Sequence, residues 1–281
     1  MSSLPNEKKK HNVEAGDQTD PTPTANLNQT AAETTNVDLR EALFNDGAVG
    51  PIGSIQVSTE RVVSLRGVMF DLDPDLFVNG GLIAAIPQDA AEFYREIVKP
   101  MLDRHPVLKK AEVRMTGRGL HVILRFAKPV EFTKPGEQEE WAGIVEVVQT
   151  ALPIDPGQPG ITATTRAVGS VNGKNGATVE LLEKGSPVTE EEVRALCKDM
   201  CEQPFRTVMS VFTGNERVQP CPVCKKPDSA LAAGKHVGSC YGCGKVHLEK
   251  LYDLVLAPKT AEKAENAPKT AKREKRNAKA R

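Results

Sequence analysis

Alternation of apolar and polar residues predicts several short β-strands, because successive side chains of a strand point to opposite faces. In residues 68–73 this places Val68, Phe70 and Leu72 on one face and the two aspartates of the stretch on the other. Pro74 ends the strand, since proline cannot donate to a sheet ladder. Residues 55–73 hold two such strand-like stretches, which meet at Arg66 and Gly67, and further strands are predicted over 111–115, 121–126 and 178–182.

Helical spacing of apolar residues predicts helices in other parts of the chain. They are expected over 38–46, over 88–103 with a kink at Pro100, over 137–151, and over 189–201. The last begins with Thr189 and has Glu192 three residues later, the pattern of a capping box. Cys197 and Cys201 share a face of this helix and are predicted to be small buried residues. The mixture predicts an α+β core of antiparallel strands with helices on one face.

Composition divides the chain of 281 residues further. Residues 1–37 are polar and poor in large apolar side chains, and residues 257–281 are rich in Ala, Lys, Arg and Glu, so both are predicted to be disordered. A catalytic domain over 38–205 and a small cysteine-bearing module over 206–256 are predicted between them. The formal net charge is zero, although nine Lys or Arg against three Glu from Lys259 to Arg281 make a basic tail.

The cellular setting follows from what the sequence lacks. No apolar run is long enough to span a membrane, and no apolar stretch follows the lysines near the N-terminus as a secretory signal requires. Six cysteines, four of them in close pairs, fit metal binding in a reducing compartment better than disulfides. We therefore expect a cytoplasmic protein without a membrane partner.

Asp71 and Asp73 are the first candidate catalytic residues. Two carboxylates on neighbouring same-face positions repel each other unless a cation lies between them, and Mg²⁺ or Mn²⁺ suits such oxygen ligands. Two metals held there can activate an attacking hydroxyl and stabilise a leaving pyrophosphate. The alternative is a pair of solvated aspartates at a strand end.

A glycine-rich turn follows at Thr116-Gly117-Arg118-Gly119 and leads to His121. Glycines allow backbone amides to converge on an anion, and Arg118 can make a bidentate phosphate contact. His121 shares a strand face with Ile123 and Arg125, and we expect it to donate to a nucleotide phosphate. An ordinary hairpin turn is the alternative.

A third segment begins with Asp155, a further carboxylate after an apolar residue. Glu180 is the alternative third acid. The polar residues that follow Asp155 suit a triphosphate or a template backbone: Arg166, Ser170, Asn172 and Lys174.

Two Cys-x-x-Cys pairs, Cys221/Cys224 and Cys240/Cys243, have the spacing of a structural zinc site. Fifteen residues separate the pairs, and four thiolates complete a tetrahedron with no open position. His236 and His247 lie nearby as substitute ligands. Lysines make the module basic, which is consistent with template binding or with a merely solvated surface.

The order of these segments resembles the archaeo-eukaryotic primase superfamily, which includes primase-polymerases and the replication primases of plasmids and phages. The similarity covers roughly residues 60–185 and consists of an Asp-x-Asp strand, a Ser/Thr-Gly-x-Gly-x-His turn, and a later acid followed by Arg and Gly-Ser-x-Asn-x-Lys. Thr116 stands where serine is commoner in the family. The cysteine module resembles the zinc ribbons attached to some primases.

The resemblance implies an RNA-recognition-motif-like core in which Asp71, Asp73 and Asp155 bind two divalent metals and His121 contacts the triphosphate. The polar residues of the third segment would then face nucleotide or template: Arg166, Ser170, Asn172 and Lys174. It implies a DNA-dependent primase or polymerase acting on a single-stranded template with nucleoside triphosphates, in plasmid, phage or mobile-element replication, with a replicative helicase as a further partner.

Two other functions remain open at this point. One is a non-catalytic zinc-ribbon DNA-binding protein with a replication or regulatory role. The other is a metal-dependent nuclease or relaxase, which would need a clustered histidine pair or a suitably placed tyrosine. The sequence leaves undecided the choice between ribo- and deoxyribonucleotides and between de novo priming and extension.

Overall fold

The computed structural model describes residues 39–45, 58–77, 82–83, 85–155 and 157–255. The predictions of disorder for residues 1–37 and 257–281 lie outside these residues.

Regular elements follow one another closely along the described part of the chain. The strands are β1 (Arg40–Ala42), β2 (Phe44–Asn45), β3 (Ser64–Leu72), β4 (Glu112–Met115), β5 (Leu120–Glu131), β6 (Thr164–Arg166), β7 (Glu180–Glu183), β8 (Arg217–Val218), β9 (Leu231–Ala233), β10 (Gly238–Cys240) and β11 (Gly244–Val246). The helices are α1 (Ala90–Phe93), which continues through a π-helical turn (Tyr94–Val98) into α2 (Lys99–Asp103), then α3 (Glu137–Gln149), α4 (Glu190–Glu202), α5 (Pro204–Thr213) and α6 (Leu248–Tyr252). Short 3₁₀ turns occupy Thr59–Arg61, Pro74–Leu76 and Leu108–Lys110. None of the helices in these ranges has the length and apolar character to cross a membrane.

The main sheet has five antiparallel strands in the order β2-β3-β5-β4-β7. One face is apolar, as the alternation predicted: Val68, Phe70 and Leu72 are buried in a cluster that includes Phe93 of α1 and Trp141 of α3. The order of the central strands, with a helical segment between β3 and β4 and another after β5, corresponds to the βαββα part of a split βαβ fold. The predicted α+β class with antiparallel strands and helices is confirmed.

The other face of the sheet carries the polar candidate residues. It is crossed by the segment containing β1, which pairs antiparallel with β6. A small apolar cluster of Leu43, Met69, Ile123 and Ala163 joins this two-stranded ribbon to the sheet. The ribbon therefore covers part of the face on which the metal and phosphate ligands were predicted, over Met69, Ile123 and His121.

Two predictions of secondary structure need correction, and a third is refined. The expected helix over 38–46 is wrong: its described part forms β1 and β2, because strand pairing with β6 and β3 prevails over the local apolar spacing. The two stretches around Arg66 and Gly67 form one strand, β3, with a register irregularity at that point. The interruption predicted at Pro100 takes the form of a π-helical turn, Tyr94–Val98, which ends just before Pro100, so the helix changes its hydrogen bonding there without being divided.

The helix predicted over 189–201 forms as α4, and its capping box between Thr189 and Glu192 is present. The prediction that Cys201 is buried is wrong, since its side chain is exposed, and Cys197 is half-buried. The face bearing these two residues therefore borders solvent.

The cysteine-bearing module is a four-stranded antiparallel sheet in the order β11-β10-β9-β8, followed by α6. It packs on α5, where the Phe205 ring lies so close to Gly238 that a Cβ there would come within 2.4 Å of the ring. The predicted boundary between residues 205 and 206 falls within α5. Whether the module is a separate domain stays a prediction.

Candidate functional site

Asp71 and His121 are direct cross-strand partners. The antiparallel register of β3 and β5 places Asp71 opposite His121 and Arg114 of β4 on the other side of His121. Residues that face each other across an antiparallel pair project to the same side of the sheet. One carboxylate, one imidazole and one guanidinium therefore lie in a row on the face crossed by the ribbon.

Asp71 lies among other charges. Burial raises the pKa of its carboxyl to about 6, and the negative charges of Asp155 and Asp73 act in the same direction. The positive charges of Arg166 and Lys174 offset part of the effect. The fold thus brings two acids and two cations, all predicted from sequence, to the surroundings of Asp71.

The loop carrying Asp155 is fixed to β3 by hydrogen bonds. The Asp155 N–H donates to the Asp71 carbonyl at 3.3 Å. Gln158 makes a two-way contact, accepting from the Asp71 N–H and donating to the Met69 carbonyl. Gln149 of α3 also donates to the Met69 carbonyl, at 2.9 Å. These amides, which the sequence analysis missed, explain why Asp155 lies beside Asp71.

The three carboxylates are neighbours but do not form a closed metal cluster. Among the described residues, one group brings three or more His, Cys, Asp or Glu ligand atoms within 4.8 Å of one another, and it consists of the four cysteines. The three aspartates do not meet this distance. Asp73 Oδ1 accepts from Asp75 N–H at 2.9 Å, and Asp155 Oδ1 accepts from Gly157 N–H at 2.9 Å. Because a carboxylate has two oxygens, each of these acids keeps one oxygen outside its turn. The mutual repulsion at Asp71 fits a site for divalent cations.

His121 is nearly inaccessible, with an exposed fraction of 5%. Its Nδ1 lies 2.8 Å from the Thr165 hydroxyl of β6. Burial lowers the pKa of the imidazole to about 3, and the positive charges of Arg166, Arg114 and Arg40 act in the same direction. The imidazole is therefore neutral over the ordinary pH range and carries one N–H.

The other residues predicted after Asp155 divide into two groups. Arg166 is buried near Asp71 and His121, and Lys174 is exposed but close enough to influence Asp71. Ser170 and Asn172 make hydrogen bonds that stabilise loops, and their contact with a ligand stays a prediction. The Ser170 hydroxyl donates to the Ala167 carbonyl at 2.7 Å.

Asn172 connects its loop to the glycine turn. Its side-chain amide donates to the Thr116 carbonyl, and its Oδ1 accepts from Lys174 N–H at 3.0 Å. The neighbouring Asn175 packs so closely on Gly117 that a Cβ there would come within 2.1 Å of its amide nitrogen. The loop and the turn therefore form one unit, and glycine at 117 is required by this approach and by its positive φ of 120°.

Arg118 does not point to the acids of the site. Its guanidinium lies 2.6 Å from the Asp75 carboxylate and 3.2 Å from the Gln88 side-chain oxygen, and the side chain is 60% exposed. Glu180, the alternative third acid, is an exposed residue at the start of β7 and is not among the main charges that shift the pKa of Asp71. Asp155 is the closer acid by this criterion, and its role as a ligand stays a prediction.

Sequence reasoning also missed a network of four charged residues beside His121. Arg125 lies 2.9 Å from Glu41 and 2.6 Å from Glu112, and Arg114 lies 2.9 Å from Glu41. Arg114 also contacts Glu112 at 2.5 Å and donates to the Arg166 carbonyl at 2.6 Å. The network ties β1 and β6 to the sheet. In the sequence, the sign of this network is that Glu112 and Arg114 stand two residues apart and so share a strand face. In the structure they lie opposite Ile123 and His121 of β5.

The four cysteines of the C-terminal module form the second candidate site. The Sγ atoms of Cys221 and Cys243 are 3.8 Å apart, and those of Cys224 and Cys240 are 3.7 Å apart. Four sulfurs at a Zn–S distance of about 2.3 Å in a tetrahedron lie roughly 3.8 Å from one another, so the cluster has the size that zinc requires. The Gly242 N–H donates to Cys240 Sγ at 3.3 Å, which orients one thiolate. His236 and His247 are not part of this cluster.

The comparisons with known proteins give one similar structure. No protein-family model matches the chain, and no curated protein matches it. Among solved structures, the AEP domain of the cyanophage S-2L primase-polymerase is similar, with 15% identity and a TM-score of 0.35. The match covers 50% of this chain and 64% of that domain, so the chain spans less than two thirds of the structure it matches.

Proposed function

We propose that the chain is a primase or primase-polymerase, which joins nucleotides on a single-stranded DNA template by metal-dependent nucleotidyl transfer. The observation that carries the proposal is the register pair of Asp71 and His121, with Asp73, Asp155, Arg166 and Lys174 close enough for their charges to act on Asp71. This arrangement offers carboxylates for cations and cations for phosphates within one site. It also has the order of motifs in which the sequence resembles the archaeo-eukaryotic primases.

Each group has a separate role in this proposal. Asp71, Asp73 and Asp155 would hold Mg²⁺ or Mn²⁺, which, when bound, lowers the charge barrier to attack on a phosphate. His121 donates its single N–H to the triphosphate, and Arg166 and Lys174 balance the phosphate charge. The 3′ hydroxyl gives up its proton to solvent water, a bond forms between the 3′ oxygen and the α-phosphorus, the bond from the α-phosphorus to the bridging oxygen of the β-phosphate breaks, and pyrophosphate leaves.

The partners in this proposal are a single-stranded template and nucleoside triphosphates. A replicative helicase and a setting in plasmid, phage or mobile-element replication belong to the proposal only through the resemblance. The zinc ribbon is proposed as structural, because its four thiolates leave no open coordination position.

Incorporation of labelled nucleotide on a single-stranded template, with Mn²⁺ or Mg²⁺, tests the proposal. We expect incorporation by the wild type and a loss of at least a hundredfold in the Asp71→Ala/Asp73→Ala variant, because the charge-stabilising ligands are removed. Asp75→Ala is the matched control, since Asp75 is an exposed acid of the same segment that contacts Arg118. Equal incorporation by wild type and double variant would sink the proposal.

Two further variants show whether Asp155 or Glu180 is the third metal ligand. We expect Asp155→Ala to reduce incorporation strongly and Glu180→Ala to leave it near the wild-type rate. The reverse result would reassign the ligand to Glu180. The non-catalytic alternative predicts that the wild type binds single-stranded DNA but incorporates nothing under any metal.

A further inference from the structure

Tyr241 is the most exposed large hydrophobic side chain in the described part of the chain, with an exposed fraction of 99%. The other two tyrosines are Tyr94, which is buried, and Tyr252, whose hydroxyl donates to the Thr150 carbonyl. Tyr241 lies inside the second cysteine pair, between Cys240 and Gly242. An aromatic ring held fully in solvent by a metal knuckle has no part in the apolar core.

Three lysines lie close to Tyr241 along the chain or through the cysteine cluster. Lys225 follows Cys224, and Tyr241 follows Cys240, whose Sγ atom is 3.7 Å from that of Cys224. The aliphatic part of Lys226 packs against Gly242, within 3.1 Å of where a Cβ would stand. Lys245 follows two residues after Cys243 on β11. Over the described ranges, none of these three lysines forms an ion pair.

We propose that Tyr241 and the neighbouring Lys225, Lys226 and Lys245 form a contact surface for single-stranded nucleic acid, which we call the knuckle surface. A base stacks on the exposed ring, and the lysines contact the phosphates on either side. Exposed aromatic rings combined with positive charge bind single strands with little sequence preference, because every base offers a π-face. The proposal deepens the proposed function by naming where the template is held outside the metal site.

A depression beside the knuckle surface helps to define the path of the strand. It has a volume of about 350 Å³, and its lining includes Lys245, Glu249, Lys250 and Asp253. Lys250 is paired with Asp253 at 3.4 Å, whereas Lys245 forms no ion pair among the described residues. We therefore expect the backbone to pass the rim of the depression at Lys245 and to continue along Lys225 and Lys226.

Fluorescence anisotropy with a labelled oligo-dT of about 20 nucleotides tests the surface in the full chain. We expect Tyr241→Ala to weaken binding by roughly tenfold and Tyr241→Phe to stay within about twofold of the wild type, since stacking needs the ring and not the hydroxyl. Because Tyr241 is exposed, neither variant should change folding, which equal zinc content and equal thermal unfolding would verify. The basic segment 257–281 contributes equally to all proteins and cancels in the comparison.

The lysines are tested by the salt dependence of binding. The double variant Lys225→Ala/Lys226→Ala should reduce the slope of log affinity against log salt by one to two, as expected for about two lost phosphate contacts. Lys198→Ala is the control, because Lys198 is an exposed lysine of α4 whose partner is Glu202 at 3.8 Å. We expect its slope to equal that of the wild type.

The outcomes separate this inference from the proposed function. Equal affinity of wild type and Tyr241→Ala would overturn the knuckle surface even if nucleotide incorporation is active. The knuckle surface would also be overturned if duplex DNA bound as tightly as the single strand and with the same dependence on Tyr241. Conversely, a tenfold effect of Tyr241→Ala without any incorporation would support the surface and contradict the polymerase.

Discussion

The Thr165 hydroxyl lies 2.8 Å from Nδ1 of His121, and both side chains are buried. A neutral imidazole has one donor and one acceptor nitrogen, and the hydrogen bond at one nitrogen decides which is which. If Thr165 donates to Nδ1, the proton of His121 stays on Nε2, the nitrogen left for a phosphate. Thr165 is then a positioning residue for His121.

This relationship gives a first prediction. Thr165→Val keeps the shape of the side chain but removes the hydroxyl, so we expect a mixture of tautomers and a KM for nucleotide roughly tenfold higher. Thr165→Ser keeps the hydroxyl and should restore the wild-type KM. Nitrogen-15 NMR of the imidazole measures the tautomer directly. A Val variant with an unchanged tautomer and unchanged KM would show that Thr165 only fills space.

A second prediction concerns the cost of keeping Asp71 charged. Its pKa is raised to about 6 from an ordinary value near 3.8, so the folded protein binds a proton more tightly than the unfolded chain. The stability from this proton is fully present below about pH 3.8 and is lost as the pH rises through 6. Without added Mg²⁺ or Mn²⁺, Asp71→Asn should therefore be more stable than the wild type above pH 6, by about 2 to 3 kcal/mol.

Added metal should reverse that order. Mn²⁺ binds the folded wild type and stabilises it by mass action, whereas the Asn variant has lost a charged ligand. Urea unfolding at pH 5 and pH 7.5, with and without Mn²⁺, measures both effects. If the wild type gains no stability from Mn²⁺ at pH 7.5, the acids do not form a metal site.

A third prediction contrasts a buried and an exposed ion pair. Glu112 contacts Arg114 and Arg125 with its side chain 13% exposed. Glu112→Ala therefore leaves the buried Arg114 and the partly buried Arg125 to share Glu41 as their remaining counter-charge in the network. We expect a loss of about 3 kcal/mol in the free energy of unfolding. Arg118→Ala removes the exposed pair with Asp75 and should cost less than about 1 kcal/mol. Similar losses in the two variants, measured by urea unfolding, would contradict the supporting role of the network.

The sequence predicts those features that depend on neighbours along the chain. The alternation in β3, the capping box of α4 and the cysteine spacing each follow from local chemistry, and each is present. The failures depend on distant partners. Residues 38–46 have helical spacing, but β1 forms because β6, more than 120 residues later, offers a free edge. No local rule contains that pairing.

The candidate site shows the same division. Asp71 and its face follow from alternation, but the partner of His121 is Thr165, 44 residues away, and the anchor of Asp155 is Gln158 bonded to β3. Ser170 and Asn172 are predicted ligand contacts because of their types, and the sequence does not reveal the hydrogen bonds by which they also stabilise loops. Polar residues in loops serve structure as readily as ligands, and only the fold distinguishes the two uses.

A fourth prediction concerns zinc. The spacing of the four Sγ atoms predicts one zinc ion per chain in purified protein, measurable by atomic absorption. Cys224→Ser should abolish stoichiometric zinc and destabilise the module, because the metal supplies much of the folding free energy of such ribbons. Cys201→Ser, at an exposed cysteine outside the cluster, is the control and should retain the metal. Full zinc in the Cys224 variant would exclude a four-cysteine site.

The last prediction compares equivalent positions of the two cysteine pairs. The residue after each pair has a positive φ, 57° at Lys225 and 77° at Gly244. A Cβ at Gly244 would meet nothing within 4 Å, so any cost of adding one is backbone strain. Gly244→Ala should therefore cost about 1 kcal/mol in the zinc-loaded protein. Lys225→Ala should cost much less, because an L-residue already occupies that conformation there. Urea unfolding at equal zinc content measures both, and equal costs would mean that side-chain contacts of Lys225, rather than backbone conformation, set the stability of the first pair.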